Sequence, residues 1–141
     1  MTLTDAGPLV ALADRGDSAH QWCYDAAEQL RPPLITTWPA LTEAMHLIYR
    51  KGGWAGQAQL WSRIQQGVIE IAAPGINTLE RCRELMVRYR DVPMDLADAS
   101  LLALAEERGF NTIFSIDGYF NIFRMKNRRV LRPVPGPLPR S

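Results

Sequence analysis

Cysteine and histidine are both scarce in this 141-residue chain, with two of each: Cys23, Cys82, His20 and His46. Neither cysteine belongs to a CxxC pair and no HExxH occurs, which leaves no basis for a disulfide scaffold or a zinc centre. Lysine is confined to Lys51 and Lys126. No apolar run approaches the ~18 residues that a membrane span requires, and the N-terminus lacks a basic stretch followed by an apolar one. The expectation is a soluble protein that stays in the cytoplasm and has no membrane partner. What the chain does have is a 47% apolar fraction with 22% charged residues, enough for a single packed domain and unlike a disordered chain.

Net charge is +1, unevenly spread. Residues 118–141 hold Arg124, Lys126, Arg128, Arg129, Arg132 and Arg140 and no acid, so the first 117 residues carry a net charge of −5. A cationic end beside an acidic body suits a phosphate backbone or an acidic partner. It equally suits a terminal strand and tail kept soluble by arginine.

The pattern of apolar residues and breakers predicts strands separated by helices. Residues 1–4 read as a strand ended by Asp5-Ala-Gly-Pro, and residues 9–13 as a short helix. Asp17 or Ser18 caps a helix reaching residue 30, and residues 34–36 form the second strand. Thr37 caps a helix over 38–50, with Pro39 in its first turn, where a missing N–H costs little. Gly52-Gly53 closes it, and another helix covers 54–66. Residues 68–72 are the third strand, and Asn77-Thr-Leu-Glu80 predicts a capping box opening a helix to 90. Asp95 caps a helix ending at Gly109, and residues 112–116 form the fourth strand. An Asp117-Gly118 turn and a short helix over 119–125 follow, then an edge strand at 130–131 and a flexible Pro-rich tail over 133–141. This order implies a three-layer α/β/α sandwich around a mainly parallel sheet, with one domain over residues 1–132.

That topology gathers four acids. Loops leaving parallel strands lie at the carboxyl edge of the sheet, where ligands bind. Asp5 leaves the first strand and Asp117 the fourth. The helix of Glu43 starts from the second strand, and the helix of Asp98 runs back toward the fourth, so its first turn returns to the same edge. Two carboxylates ~5 Å apart repel by about 3 kcal/mol at an effective dielectric near 20. Four together would protonate, spread apart or hold a hard cation. Each acid also has a purely structural role: Asp5 as a helix cap, Asp117 as turn chemistry, and Glu43 and Asp98 as partners of helix dipoles. Asp95 is most simply an N-cap, and its place three residues before Asp98 also makes it a candidate outer ligand of a metal or water.

The residues then resemble a known family. Leu-Thr-Asp5-Ala-Gly-Pro-Leu-Val-Ala-Leu is similar to the opening of PIN-domain proteins, in particular VapC-type toxins of toxin–antitoxin pairs. Leu41-Thr-Glu43, Leu96-Ala-Asp98-Ala and Ser115-Ile-Asp117-Gly-Tyr-Phe120 resemble the other three acidic motifs, in the same order. Ser115 stands where many relatives have Thr, and keeps the hydroxyl. The resemblance implies a metal-dependent endoribonuclease, inhibited by a cognate antitoxin and forming a homodimer. It implies that Asp5, Glu43 and Asp98 hold Mg²⁺ or Mn²⁺, with Asp117 serving a second ion or its water. Ser115 and Asp95 would orient these groups from outside. Arg124, Lys126, Arg128 and Arg129 become candidates for RNA backbone contacts, and Trp22, Trp38, Trp54 and Trp61 for core or partner surfaces.

Three rivals bear on this reading. A receiver-like regulator wants an acid after the third strand, which here ends Ala72-Ala73-Pro74. A haloacid-dehalogenase-like phosphatase wants Asp-x-Asp after the first strand, and Asp5-Ala-Gly7 lacks the second acid. A PIN fold that binds RNA or protein without turnover keeps every motif.

Overall fold

In the computed structural model, which describes residues 1–139, five parallel strands carry the acids to one edge. Strand β1 is Thr2–Leu3, β2 is Leu34–Thr37, β3 is Ile69–Ala72, β4 is Thr112–Ser115 and β5 is Arg132–Pro135. β1 pairs with β2, β2 with β3, and β4 with β5, each in parallel. A parallel bridge between Thr4 and Phe114 joins the two sets, and the Asp5 amide donates to the Phe114 carbonyl at 2.9 Å. The strands therefore run in the order β3-β2-β1-β4-β5, and the connections reverse direction between β1 and β4.

Helices cover both faces. On one side lie α1 (Ala6–Ala13), α2 (His20–Glu28) and α3 (Trp38–Gln65), and on the other α4 (Thr78–Arg88) and α5 (Leu96–Arg108). The strand side chains alternate between the two cores, as a period of two requires. Leu34, Ile69 and Phe114 join the core of α1 to α3, whereas Leu3, Ile35 and Ile113 join the core of α4 and α5. The three-layer sandwich is as expected from the sequence.

Several local expectations needed correction. Helix α1 starts at Ala6 rather than residue 9, because Asp5 caps it. Ala19, not Asp17 or Ser18, occupies the N-cap of α2. Asp17 instead accepts the Ala19 amide at 2.8 Å and pairs with Lys51 at 2.8 Å. No capping box forms at Asn77, because Glu80 turns to Arg83 at 2.6 Å and Thr78 accepts the Gly75 amide at 2.7 Å. The helix predicted over 119–125 is a single 3-10 turn, Gly118–Asn121. Val130 makes only a bridge to Arg124, and the last strand lies at Arg132–Pro135, inside the stretch expected to be a flexible tail. The end of that tail, residues 140 and 141, lies outside the described residues.

Helix α3 folds back on itself at Gly53, whose φ of 61° and ψ of −154° suit only glycine. Its arms pack closely enough that the Gln57 side-chain amide reaches the Met45 carbonyl at 3.1 Å. Tyr49 and Trp54 stay exposed on this clip. A Cβ on Gly56 would stand 2.6 Å from Cγ2 of buried Ile48, and a branched side chain beside its own backbone cannot swing away. Gly56→Ala is therefore expected to destabilise the protein by about 1–3 kcal/mol, the range for overpacking. Urea denaturation measures this, and an unchanged midpoint would contradict the close packing of the two arms.

Candidate active site

The site grows from the ends of β1 and β4. Asp5 ends β1 and is buried, at 7% exposure. One carboxylate oxygen, Oδ1, accepts the Ala6 amide at 2.8 Å and starts α1; the other, Oδ2, accepts the Ser115 hydroxyl at 2.9 Å. Ser115 ends β4, is wholly buried, and its Oγ accepts the Asp117 amide at 2.9 Å. Asp117 in turn caps the 3-10 turn by accepting the Tyr119 amide at 2.8 Å. Asp5, Ser115 and Asp117 thus form one hydrogen-bonded unit across the point where strand connections reverse, the place where open parallel sheets take ligands.

Two helices bring the remaining acids. Asp98 sits in the first turn of α5, where it donates its amide to Asp95 Oδ1 at 2.8 Å and offers Oδ2 to the Asp95 amide at 3.4 Å. This capping box fixes the start of the helix. Glu43 lies in the second turn of α3, with no hydrogen-bond partner among the described residues. The two helix starts are tied together by side chains. Ser100 donates to the Ala97 carbonyl at 2.7 Å, so in its 2.6 Å contact with Thr37 it must accept. Thr37, the N-cap of α3, is then the donor. Nothing in the sequence singled out Ser100, because a serine inside an apolar helix carries no local signal of its partner.

Charge coupling links the five carboxylates pairwise. Burial pushes the Asp5 carboxyl up to about 6, against the hydrogen bonds from Ser115 and Ala6, and the charges of Asp117 and Glu43 push it the same way. Burial, then repulsion from Asp95 and Asp5, raises Asp98 to about 8. Burial also raises Glu43, with Asp95 and Asp117 adding to it. Among the described residues no three Asp, Glu, His or Cys side chains stand close enough to hold an ion as they lie. The donor set is all oxygen and anionic, which fits a hard divalent cation and not zinc.

The cationic residues predicted to meet substrate are placed apart from this cluster. The Lys126 amide is bound by Glu106, eight residues beyond Asp98 on α5 and so ~12 Å along the helix axis. Lys126 shares a groove of about 300 Å³ with Arg81, Glu106 and the loop before α4. The Arg124 amide donates to the Tyr89 hydroxyl at 2.7 Å and its guanidinium to the Arg128 carbonyl at 3.0 Å. Arg128 and Arg129 are exposed on the same turn. Beside the acids, a groove of about 600 Å³ takes in Trp38, Thr42, Glu43, His46 and Asp95. An apolar groove of about 360 Å³ continues it past Pro39 and Leu96. Trp38 is 61% exposed at their junction, which removes it from the core.

Comparison with known proteins agrees with the geometry. The PIN domain family model matches residues 2–124. Ribonuclease VapC26 of Mycobacterium tuberculosis (strain ATCC 25618 / H37Rv) is 21% identical over 134 residues, spanning 95% of this chain and 94% of the relative. The crystal structure of Mycobacterium tuberculosis VapC20, a toxin that cleaves the sarcin-ricin loop, superposes with a TM-score of 0.79 at 20% identity. That match covers 86% of this chain and 94% of the other.

The raised carboxyls make folding depend on pH in a stated direction. Asp5 at about 6 and Asp98 at about 8 bind protons more tightly folded than unfolded, so the folded state holds the extra protons between about pH 4 and 8. Their contribution is full at the low end of that window and is lost as pH rises. In EDTA the melting temperature is expected to fall from pH 5 to pH 8.5, and Asp98→Asn to flatten the upper part of that decline. A melting temperature that rises over the same range would contradict the assignment.

Proposed function

This chain belongs to the PIN-domain family, and from that premise we propose that it is a metal-dependent endoribonuclease, the toxin of a type II toxin–antitoxin pair. The observation that carries the reading is the buried Asp5 carboxylate, held by Ser115 between β1 and β4 with Glu43, Asp98 and Asp117 around it. A nuclease needs such a cluster to gather positive charge beside a phosphodiester. The similarity to a ribonuclease over nearly the whole of both chains supports the same reading.

In the proposed site Asp5, Glu43 and Asp98 hold Mg²⁺ or Mn²⁺, and Asp117 serves a second ion or its water. The bound cation supplies Lewis-acid chemistry, stabilising charge on the phosphate and lowering the pKa of the attacking water. Ser115 fixes the Asp5 carboxylate by donating to Oδ2 and fixes Asp117 by accepting its amide. Asp95 orients Asp98 through the capping box. Asp117 keeps one oxygen on the Tyr119 amide, and its other oxygen would be the one to orient a water at a bound ion. Arg124, Arg128 and Arg129 contact the RNA backbone beyond the scissile position, with Lys126 further along, where charge and not geometry sets the contribution.

The partners of this reading are an RNA substrate, a cognate antitoxin and a second copy of the chain, all in the cytoplasm. Among the described residues no helix is long and apolar enough to cross a membrane. The exposed clip at Gly53 and the groove past Trp38 offer surfaces for the protein partners.

Purified protein is expected to cleave RNA in Mg²⁺ or Mn²⁺, to stop in EDTA and to recover when the ion is restored. Cleavage that persists in chelator would end the metal-dependent reading, and binding of RNA without any cleavage would favour a non-catalytic PIN scaffold. Asp98→Asn is expected to lower the cleavage rate on the order of 100-fold or more, since losing even an outer partner of a metal ligand costs 10–100-fold. Its melting temperature should match or exceed that of the wild type at pH 8, because repulsion is relieved. Full activity in Asp98→Asn would remove that residue from the site.

A further inference from the structure

The C-terminal strand is attached to the carboxylate cluster by a continuous run of hydrogen bonds that begins on a distant helix. Trp22, on α2, donates its indole N–H to the Gly136 carbonyl at 3.0 Å, across 114 positions of sequence. The Gly136 amide donates to the Ser115 carbonyl at 3.0 Å. Ser115 then donates through Oγ to Asp5 and accepts from Asp117, each at 2.9 Å. Four links therefore connect an indole outside the acidic cluster to two of its carboxylate residues.

The strand that carries this run is poorly able to hold itself. β5 is an edge strand, and Pro133 and Pro135 have no N–H to give. Arg132 donates to the Asn111 carbonyl and Gly136 to the Ser115 carbonyl, so the even-numbered residues face β4 and the prolines face outward, the one arrangement a strand tolerates. Gly136 then leaves the strand at φ 84°, a conformation that glycine takes without strain. Its carbonyl is caught by Trp22 from the opposite side. The end of β4, where Ser115 and Asp117 emerge, is thus gripped between β1 and a strand whose following residue, Gly136, is clamped by an indole.

We propose that Trp22 and Gly136 are positioning residues for the divalent-ion site, holding the end of β4 so that Ser115 presents the Asp5 and Asp117 carboxylates in register. This rests on the nuclease reading above and adds that the C-terminal segment is part of the working site. Neither residue touches substrate or ion. Both act through Ser115.

The test uses the full-length protein and Mn²⁺ binding measured by titration calorimetry, well below the melting temperature. Trp22→Phe keeps an aromatic ring and removes the N–H. It is expected to weaken Mn²⁺ affinity by about three- to tenfold, the span of one net hydrogen bond. Gly136→Ala, which leaves the indole in place but strains the backbone at φ 84°, is expected to weaken it similarly. In a Ser115→Ala background the Trp22→Phe change should add less than about twofold, because residues acting through one partner are not additive. A merely structural role predicts a lower melting temperature with unchanged Mn²⁺ affinity, and that result, or full additivity with Ser115→Ala, would overturn the positioning role alone. Asp98→Asn serves as the control that loses binding. Failure of the wild type to bind Mn²⁺ at all would overturn the nuclease reading and this proposal with it.

Discussion

A negative charge is held almost dry at the centre of the sheet, and the rest of the molecule is arranged around that fact. Asp5 is tolerated there because β1 and β4 meet beside it. The Phe114 carbonyl takes its amide, Ser115 gives a hydroxyl to one carboxylate oxygen, and the first amide of α1 goes to the other. The N-terminal end of α1 adds its dipole. The hydrogen bonds from Ser115 and Ala6 lower the carboxyl pKa but do not overcome burial, so the group stays near 6. A carboxylate buried in all-oxygen, anionic surroundings matches a hard cation in sign and ligand chemistry.

Asp98 shows how one side chain serves two demands. Its carboxylate closes the capping box of α5 over a contact of 3.4 Å, long for a hydrogen bond. Asp95 makes the shorter contact, 2.8 Å, from the other side of the box. The helix start is thus secured chiefly by Asp95, with Asp98 making the weaker contact of the box. At α3, Thr37 caps the helix and binds Ser100, while Glu43, in the second turn, has no hydrogen-bond partner among the described residues.

Much of this was legible in the sequence, for physical reasons that differ by element. Strands and helices were readable because Pro, Gly and Asp punctuate them, and parallel topology follows from alternation. That topology alone brought Asp5, Glu43, Asp98 and Asp117 to one edge. Misreadings arose where one local signal was outbid by a different partner, near or far. Asp17 looked like a cap but answers Lys51, 34 positions away, and Glu80 looked like half of a capping box but answers Arg83. The terminal strand was missed because Arg-Pro-Val-Pro reads as a tail, and only the presence of β4 beside it shows that its prolines point outward. Trp22 could not be assigned from sequence at all, since its partner is a backbone carbonyl 114 positions away.

Strand order also explains why the acids follow β1 and β4 and not β1 and β3. In a receiver-like sheet the third strand lies next to the first, so a residue leaving it faces the first-strand acids. Here β2 intervenes between β1 and β3. At about 4.8 Å per strand, a side chain at the end of β3 begins ~10 Å from Asp5, twice as far as one at the end of the neighbouring β4. The chain has no acid at Ala72-Ala73-Pro74, and β4 supplies Asp117 instead. The second strand contributes through its helix instead: a residue two turns into α3 can lean back over the edge, and Glu43 does. With strand order β3-β2-β1-β4-β5, the ends of β1 and β4 and the N-terminal turns of the helices after β2 and before β4 open on one edge, and this sequence puts an acid at each of the four places.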